Sequence, residues 1–195
     1  MVGTLLTAGT VSAASTAFPE KIAAHRHAPA MTVPQDVAAT VPLATTADTN
    51  RLDAKGRKQG LWVRQDSTRR LFYRGVFKDD RPQGHFVYTD HDGLTVVEAW
   101  YFRDGYASYN RFYYPDGILL SEGYYLDQQK DSLWIYYRQD GRRIRSQTYK
   151  NGLADGVSRL YGPDDEVVEE MHWFRGLRHG DWWKHESQGY QNGTY

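Results

Sequence analysis

The chain has no cysteine. Disulfides, thiolate metal sites and cysteine nucleophiles are therefore excluded. Neither sign of charge is in excess, with Lys+Arg and Asp+Glu at 24 each. A dedicated nucleic-acid binder carries a basic footprint, so no nucleic-acid partner is expected. Aromatics are nearly missing from the N-terminal part, where Phe18 stands alone before Trp62. Beyond Asn50 no apolar run keeps a 3.6-residue period over helical length. Glycine-rich loops that cradle phosphate and lead into a helix are absent, as is Gly-x-Ser-x-Gly, approached only by "GVSRL" around Ser158.

What is present divides the chain near Asn50. Residues 1–17 carry no charge and are small and apolar, which reads as a secretory signal peptide, although no Lys or Arg follows Met1. Export to the periplasm or outside the cell is the expectation, with the cytoplasm as the alternative. Residues 18–49 hold four of the seven prolines and no sustained period, as a flexible linker does. Residues 50–195 hold the aromatic body.

The body repeats itself. Small or polar residues at Gly60, Gly84, Asn110, Ser132, Gly156 and Gly180 each precede, by two positions, Trp62, Phe86, Phe112, Trp134, Ser158 and Trp182. The steps read as 24, 26, 22, 24 and 24 residues, with the third unit's "FRDGYASY" two residues longer than its peers. Every step is even. Strand side chains alternate faces with period 2, so even steps keep one seam on one face. Segments such as "GHFVYT" and "SLWIYYR" are rich in aromatic and β-branched residues, and "DHDG", "PDG" and "QDG" supply hairpin turns. The expectation is an all-β, elongated, open antiparallel sheet of six tandem two-stranded hairpins. About twelve strands at ~4.8 Å each would extend it about 55 Å.

Parity sorts the two faces. One collects Trp62, Phe86, Phe112, Trp134 and Trp182 with Phe77, Tyr101, Tyr125, Tyr149 and Trp173. Gly75, Ala99 and Gly123 lie two residues before members of the second set and leave room for a neighbouring ring. The other face carries Trp100, Tyr113, Tyr124, Ile135, Tyr137, Tyr161 and Trp183. Exposed aromatics gathered on one surface are the candidate contact site. The basic hairpin "RQDGRRIR", with Arg138, Arg142 and Arg143, is a second candidate, for an anionic lipid headgroup or an acidic partner.

The segment Tyr73-x-Gly75-x-Phe77-x-x-Asp80-x-x-x-Gly84 resembles the MORN repeat, with Asp80 at a position that Gly152 and Gly176 fill in later units. The aromatic two residues after each anchor is more similar to the bacterial MORN-variant repeat, found in proteins often labelled YwqK-type antitoxins. The resemblance covers residues 50–195. It implies a hairpin-built sheet that binds or scaffolds a protein partner, and some MORN arrays have been linked to lipid surfaces. "LWIYYRQDGR" also resembles choline-binding cell-wall repeats, which implies glycan recognition as an alternative.

Catalytic and metal readings are weighed against this. "DHDG" (Asp90 to Gly93) resembles the start of a calcium loop but reads better as a turn. Asp164, Asp165, Glu166, Glu169 and Glu170 include the residues for a hydrolase-like carboxylate pair, yet fit a solvated turn and strand. His172, His179 and His185 share the last unit without guaranteed convergence. Ser158 fills a core aromatic position. No catalytic residue, metal or cofactor is assigned. The expected function is a non-catalytic binding module, with pairing of an open edge strand to a second copy as a possible dimer.

Overall fold

The computed structural model describes residues 49–65, 67, 71–186 and 189–195. The proposed signal peptide and nearly all of the linker lie outside the described residues. The described residues belong to the second of two units of the chain, Met31–Tyr195.

Among the described residues thirteen strands form one antiparallel sheet in which each strand pairs with its neighbours in sequence. A two-residue strand, β1 (Arg51–Leu52), comes first. It is followed by β2 (Lys58–Gln65), β3 (Leu71–Lys78), β4 (Arg81–Asp90), β5 (Thr95–Phe102), β6 (Ala107–Tyr113) and β7 (Leu119–Leu126). Then come β8 (Gln129–Tyr137), β9 (Arg143–Lys150), β10 (Leu153–Tyr161), β11 (Val167–Phe174), β12 (Leu177–Glu186) and β13 (Gly189–Thr194). From β2 onward these are the six expected hairpins. β1 is additional, paired to β2 through Arg51↔Gln59 and Leu52↔Lys58.

Two turn types alternate because two kinds of sequence alternate. Between units the turn holds two residues of positive φ, as a type I′ hairpin requires: Asp79-Asp80, Asp127-Gln128, Asn151-Gly152 and Arg175-Gly176. Within units the turns at Asp90–Leu94, Tyr114–Ile118 and Arg138–Arg142 close with matching backbone hydrogen bonds. Gly93, Gly117 and Gly141 stand there at φ of 82°, 82° and 81°; Asp165 takes the same place in the fourth such turn at 62°.

The third unit corrects the sequence reading. Pairing places Gly60 opposite Phe77, Gly84 opposite Tyr101, Ser108 opposite Tyr125, Ser132 opposite Tyr149 and Gly156 opposite Trp173. The equivalent of the anchor is thus Ser108, not Asn110, and the repeat is 24 residues throughout. In the other inter-unit pairs, two extra residues form a bulge near the anchor, as between Tyr125↔Lys130 and Gly123↔Trp134. Between β5 and β6 no bulge occurs; instead the turn runs from Phe102 to Ala107 through a single 3₁₀ turn at Arg103–Gly105. Two residues move from bulge to turn, so length and parity are both kept. The aromatic slot of this unit is occupied by Asn110, buried and donating from Nδ2 to Ser108 Oγ at 2.7 Å.

On the first face the rings form an edge-to-face series. Trp62 meets Phe77 at 6.1 Å, Phe77 meets Phe86 at 5.2 Å, and Phe86 meets Tyr101 at 5.1 Å, at 74°, 87° and 76° between planes. Tyr125 meets Trp134 in the same manner at 5.0 Å and 79°. Phe86 and Trp134 are each 1% exposed. They reach this burial by lying on bare backbone: a Cβ on Gly75 would stand under 3.0 Å from the Phe86 ring, and one on Gly123 equally close to Trp134. Trp134 Nε1 donates to Tyr124 O at 2.9 Å, so the indole is held at its polar end too. Where Ser158 replaces the aromatic, its Oγ accepts from Trp173 Nε1 at 2.8 Å and donates to Met171 O at 3.3 Å. Where the second and third units meet, buried rings also occupy the other side: Trp100 and Tyr109 form a core on the second face, with Phe102 and Tyr124 against it.

Gly123→Ala should therefore cost about 1–3 kcal/mol, because ring and new methyl cannot share the space. Urea unfolding followed by tryptophan fluorescence checks this. Trp134→Leu in the Gly123→Ala background should recover part of the loss, whereas Gly93→Ala should show no such coupling to Trp134.

Candidate functional site

The second face carries a lattice of polar contacts at the repeat spacing. Glu98, Glu122, Ser146 and Glu170 are equivalent positions 24 residues apart. Fifteen residues beyond each of the first three stands a tyrosine whose hydroxyl returns to it. Tyr113 donates to Glu98 at 2.5 Å and Tyr137 donates to Glu122 at 2.7 Å. Tyr161 and Ser146 join hydroxyl to hydroxyl at 3.1 Å. Strand pairing adds arginines: Arg111 Nε donates to Glu122 at 3.2 Å and Arg159 Nε to Glu170 at 2.8 Å.

Glu122 is the centre. It is 6% exposed and accepts from Tyr109, Tyr137 and Arg111. A buried carboxylate needs this many donors to offset the loss of water. Beside it, His85 stacks on Trp100 at 4.7 Å and 10°, with Nε2 3.1 Å from Glu98. Burial, and then the hydrogen bond to a carboxylate, push the phenols of Tyr109, Tyr113 and Tyr137 well above the usual tyrosine range.

All seven residues assigned to this face by parity lie on it. The expectation that they are exposed needs correction. Trp100, Ile135 and Tyr161 are buried, at 9%, 4% and 3% exposed. Tyr113, Tyr124, Tyr137 and Trp183 are half-buried. Neighbouring side chains on the same face cover one another, as Tyr109 covers both Trp100 and Tyr124. Trp183 lies apart, against Tyr190 at 6.1 Å.

The basic hairpin is not a free cationic surface. Arg138 donates to Tyr161 O at 3.1 Å and Arg142 to Pro163 O at 2.5 Å. Arg143 forms a two-pronged pair with Asp165, at 2.6 Å for Nη2, and lies 4.1 Å over the Tyr161 ring. The guanidinium holds the Asp165 carboxyl below its ordinary range. These arginines tie one hairpin to the next along the edge of a cleft of about 520 Å³ between the two turns.

The remaining candidates separate. Asp165 and Glu170 each pair with an arginine, and Glu166 accepts from the Asp164 N–H at 2.8 Å. The late histidines contact different groups: His172 is 3.5 Å from Glu170, His179 meets Phe174 and His185 meets Tyr190. "DHDG" is a turn in which Asp90 Oδ1 accepts the N–H groups of Asp92 and Leu94. Asp90, His91 and Asp92 bring ligand atoms within 4.8 Å of one another on this exposed turn.

The Glu98–Glu122–Glu170 series is not visible as a local cluster of acids in the sequence. The signal was their 24-residue interval, which matches the hairpin unit.

No known family matches the sequence, and no curated protein matches it. Among solved structures the chain is similar to TarM over 49% of its length, at TM-score 0.37 and 12% identity, covering 19% of that chain. It is similar over 64% to an S. aureus TarM variant in complex with fondaparinux, alpha-GlcNAc-glycerol and UDP, at TM-score 0.35 and 8% identity. This chain spans 22% of that one. Likeness at this level carries no argument about function.

The tyrosine lattice sets an alkaline limit. A phenol whose folded pKa is raised stabilises the fold fully below the unfolded value near 10 and loses that contribution as pH rises toward the folded value. Thermal stability should fall above about pH 10, with the phenolate absorbance of Tyr109, Tyr113 and Tyr137 appearing only as the sheet unfolds. Glu122→Gln should lower stability by about 1–3 kcal/mol at neutral pH, since Arg111 loses its anionic partner. Spectroscopic titration and urea melts check both.

Proposed function

We propose that the protein is a non-catalytic binding module that holds a protein partner against its second face. The observation that carries this reading is the mutual saturation of that face's polar groups. Glu98, Glu122 and Glu170 all accept from neighbouring Tyr, His or Arg side chains. Groups engaged in this way are poor acids, bases or nucleophiles, yet Glu98 fixes the half-buried Tyr113 through its hydroxyl, while Tyr124 is held against Tyr109 and Trp183 against Tyr190. Rigid tyrosine and tryptophan side chains lose little entropy on binding and are enriched among residues that dominate interface energies. The 24-residue hairpin unit is in keeping with the MORN-variant resemblance, which implies a protein partner. Trp100 and Tyr161 act beneath this surface as supports.

Photocrosslinking in the native cell tests the reading. A benzoylphenylalanine at Tyr113 or Tyr124 should capture a discrete protein, and one at Tyr88 on the opposite face should not. Adducts from Tyr88 alone would overturn the choice of face. Retention on peptidoglycan or choline resin, lost in Tyr113→Ala, would replace the protein partner with a glycan.

A further inference from the structure

At the type I′ turn end of the last two units, the second face is apolar and open. Leu153, Phe174 and Leu177 are 51%, 51% and 73% exposed. Phe174 pairs across the strands with Leu177, and Leu153 pairs with Lys150. Leu153 Cδ2 lies 3.7 Å from the place of a Cβ on Gly176, so the two hairpin ends adjoin. Leu153 and Leu177 are one repeat apart; the same position holds Arg81 and Gln129 in earlier units. The two leucines are therefore a local departure from the repeat and not a requirement of the fold, whereas the Phe174 position already holds Phe102 and Leu126 in earlier units.

The charge bordering the patch is mainly positive. Exposed Lys150 and Arg175 border the patch, with Arg175 5.2 Å over the Phe174 ring, and His179 packs on the same ring at 5.8 Å. "KNGL" and "FRGLRH", which form the two ends, contain no acid. The nearest carboxylate on these strands, Asp155, is turned to the Arg175 N–H at 3.3 Å.

We propose that Leu153, Phe174 and Leu177 form the docking point for an acidic, amphipathic segment of a partner protein. This rests on the binding-module reading and names the partner's chemistry. Leucine or phenylalanine side chains of the segment would cover the three apolar groups while its carboxylates meet Lys150 and Arg175. The placement favours a protein segment over a bilayer. The extreme tips are the polar Asn151-Gly152 and Arg175-Gly176, and the apolar groups sit below them on the sheet face, where a chain lying across the strands reaches them.

The test uses the full chain and a fluorescein-labelled synthetic peptide alternating Asp or Glu with Leu or Phe, followed by anisotropy. One control peptide replaces Leu and Phe with Ser; the other replaces the acids with Lys. Binding should be at least about tenfold tighter for the first peptide than for either control, a difference of about 1.4 kcal/mol. Leu177→Ser and Arg175→Glu should each weaken it about tenfold without changing the melting temperature, since both side chains are exposed. Leu94→Ser, at an exposed leucine elsewhere, should change nothing. Equal binding of the Ser-substituted peptide, or indifference to Leu177→Ser, overturns the proposal. So does flotation with phosphatidylserine vesicles that depends on Leu177 when no peptide binds. Protein adducts at Tyr113 or Tyr124 in the cell, with no peptide binding here, would leave the module reading intact and remove only this site.

Discussion

An aromatic ring laid flat on glycine backbone is the contact on which the sheet depends. Among the described residues no helix or second sheet packs on either face, so apolar groups must be buried by neighbours in the same layer. A side chain standing upright on a strand cannot manage this. One that lies down across the next strand can, provided nothing projects from the backbone beneath it. Gly75 under Phe86 and Gly123 under Trp134 meet that condition, and the edge-on rings of Phe77, Tyr101 and Tyr125 close the sides. Burial of a large ring is worth a few kcal/mol, and repetition along the stack multiplies it.

The same constraint explains what the sequence revealed and what it hid. Six hairpins, their turns and both faces were legible because Asp-Gly corners and alternating aromatics are local signals. The register of the third unit was not. Phe112 looks like the aromatic after an anchor, but that slot belongs to Asn110, and Phe112 sits two pairs further along, opposite Ser121. A two-residue bulge exchanged for a two-residue longer turn leaves the repeat length unchanged, and letters alone do not distinguish the two. Exposure was misjudged for a related reason. Parity tells which face Trp100 and Tyr161 occupy, but not that Tyr109 or Arg143 lies over them.

The two faces do different work. The first is dominated by ring-on-backbone packing, with Lys130 enclosed by Trp134, Tyr136 and Tyr149 at 4.3, 5.2 and 5.4 Å and Lys58 over Trp62 and Phe77. The second alternates carboxylates with tyrosines and arginines in a lattice that repeats with the hairpins. It breaks where Ser146 replaces the acid, and the arginine hairpin binds the next turn beside that break. Both faces contribute to stability, the first through rings on backbone and the second through the Trp100–Tyr109 core and the bonds around Glu122.

Proton NMR of the glycine α-protons tests the central contact most directly. A ring stacked on the backbone shifts those protons strongly upfield. The account predicts upfield-shifted Gly75 and Gly123 α-protons, with the Gly123 signals returning toward ordinary strand positions in Trp134→Leu. Ordinary shifts at both glycines in the folded protein would contradict it.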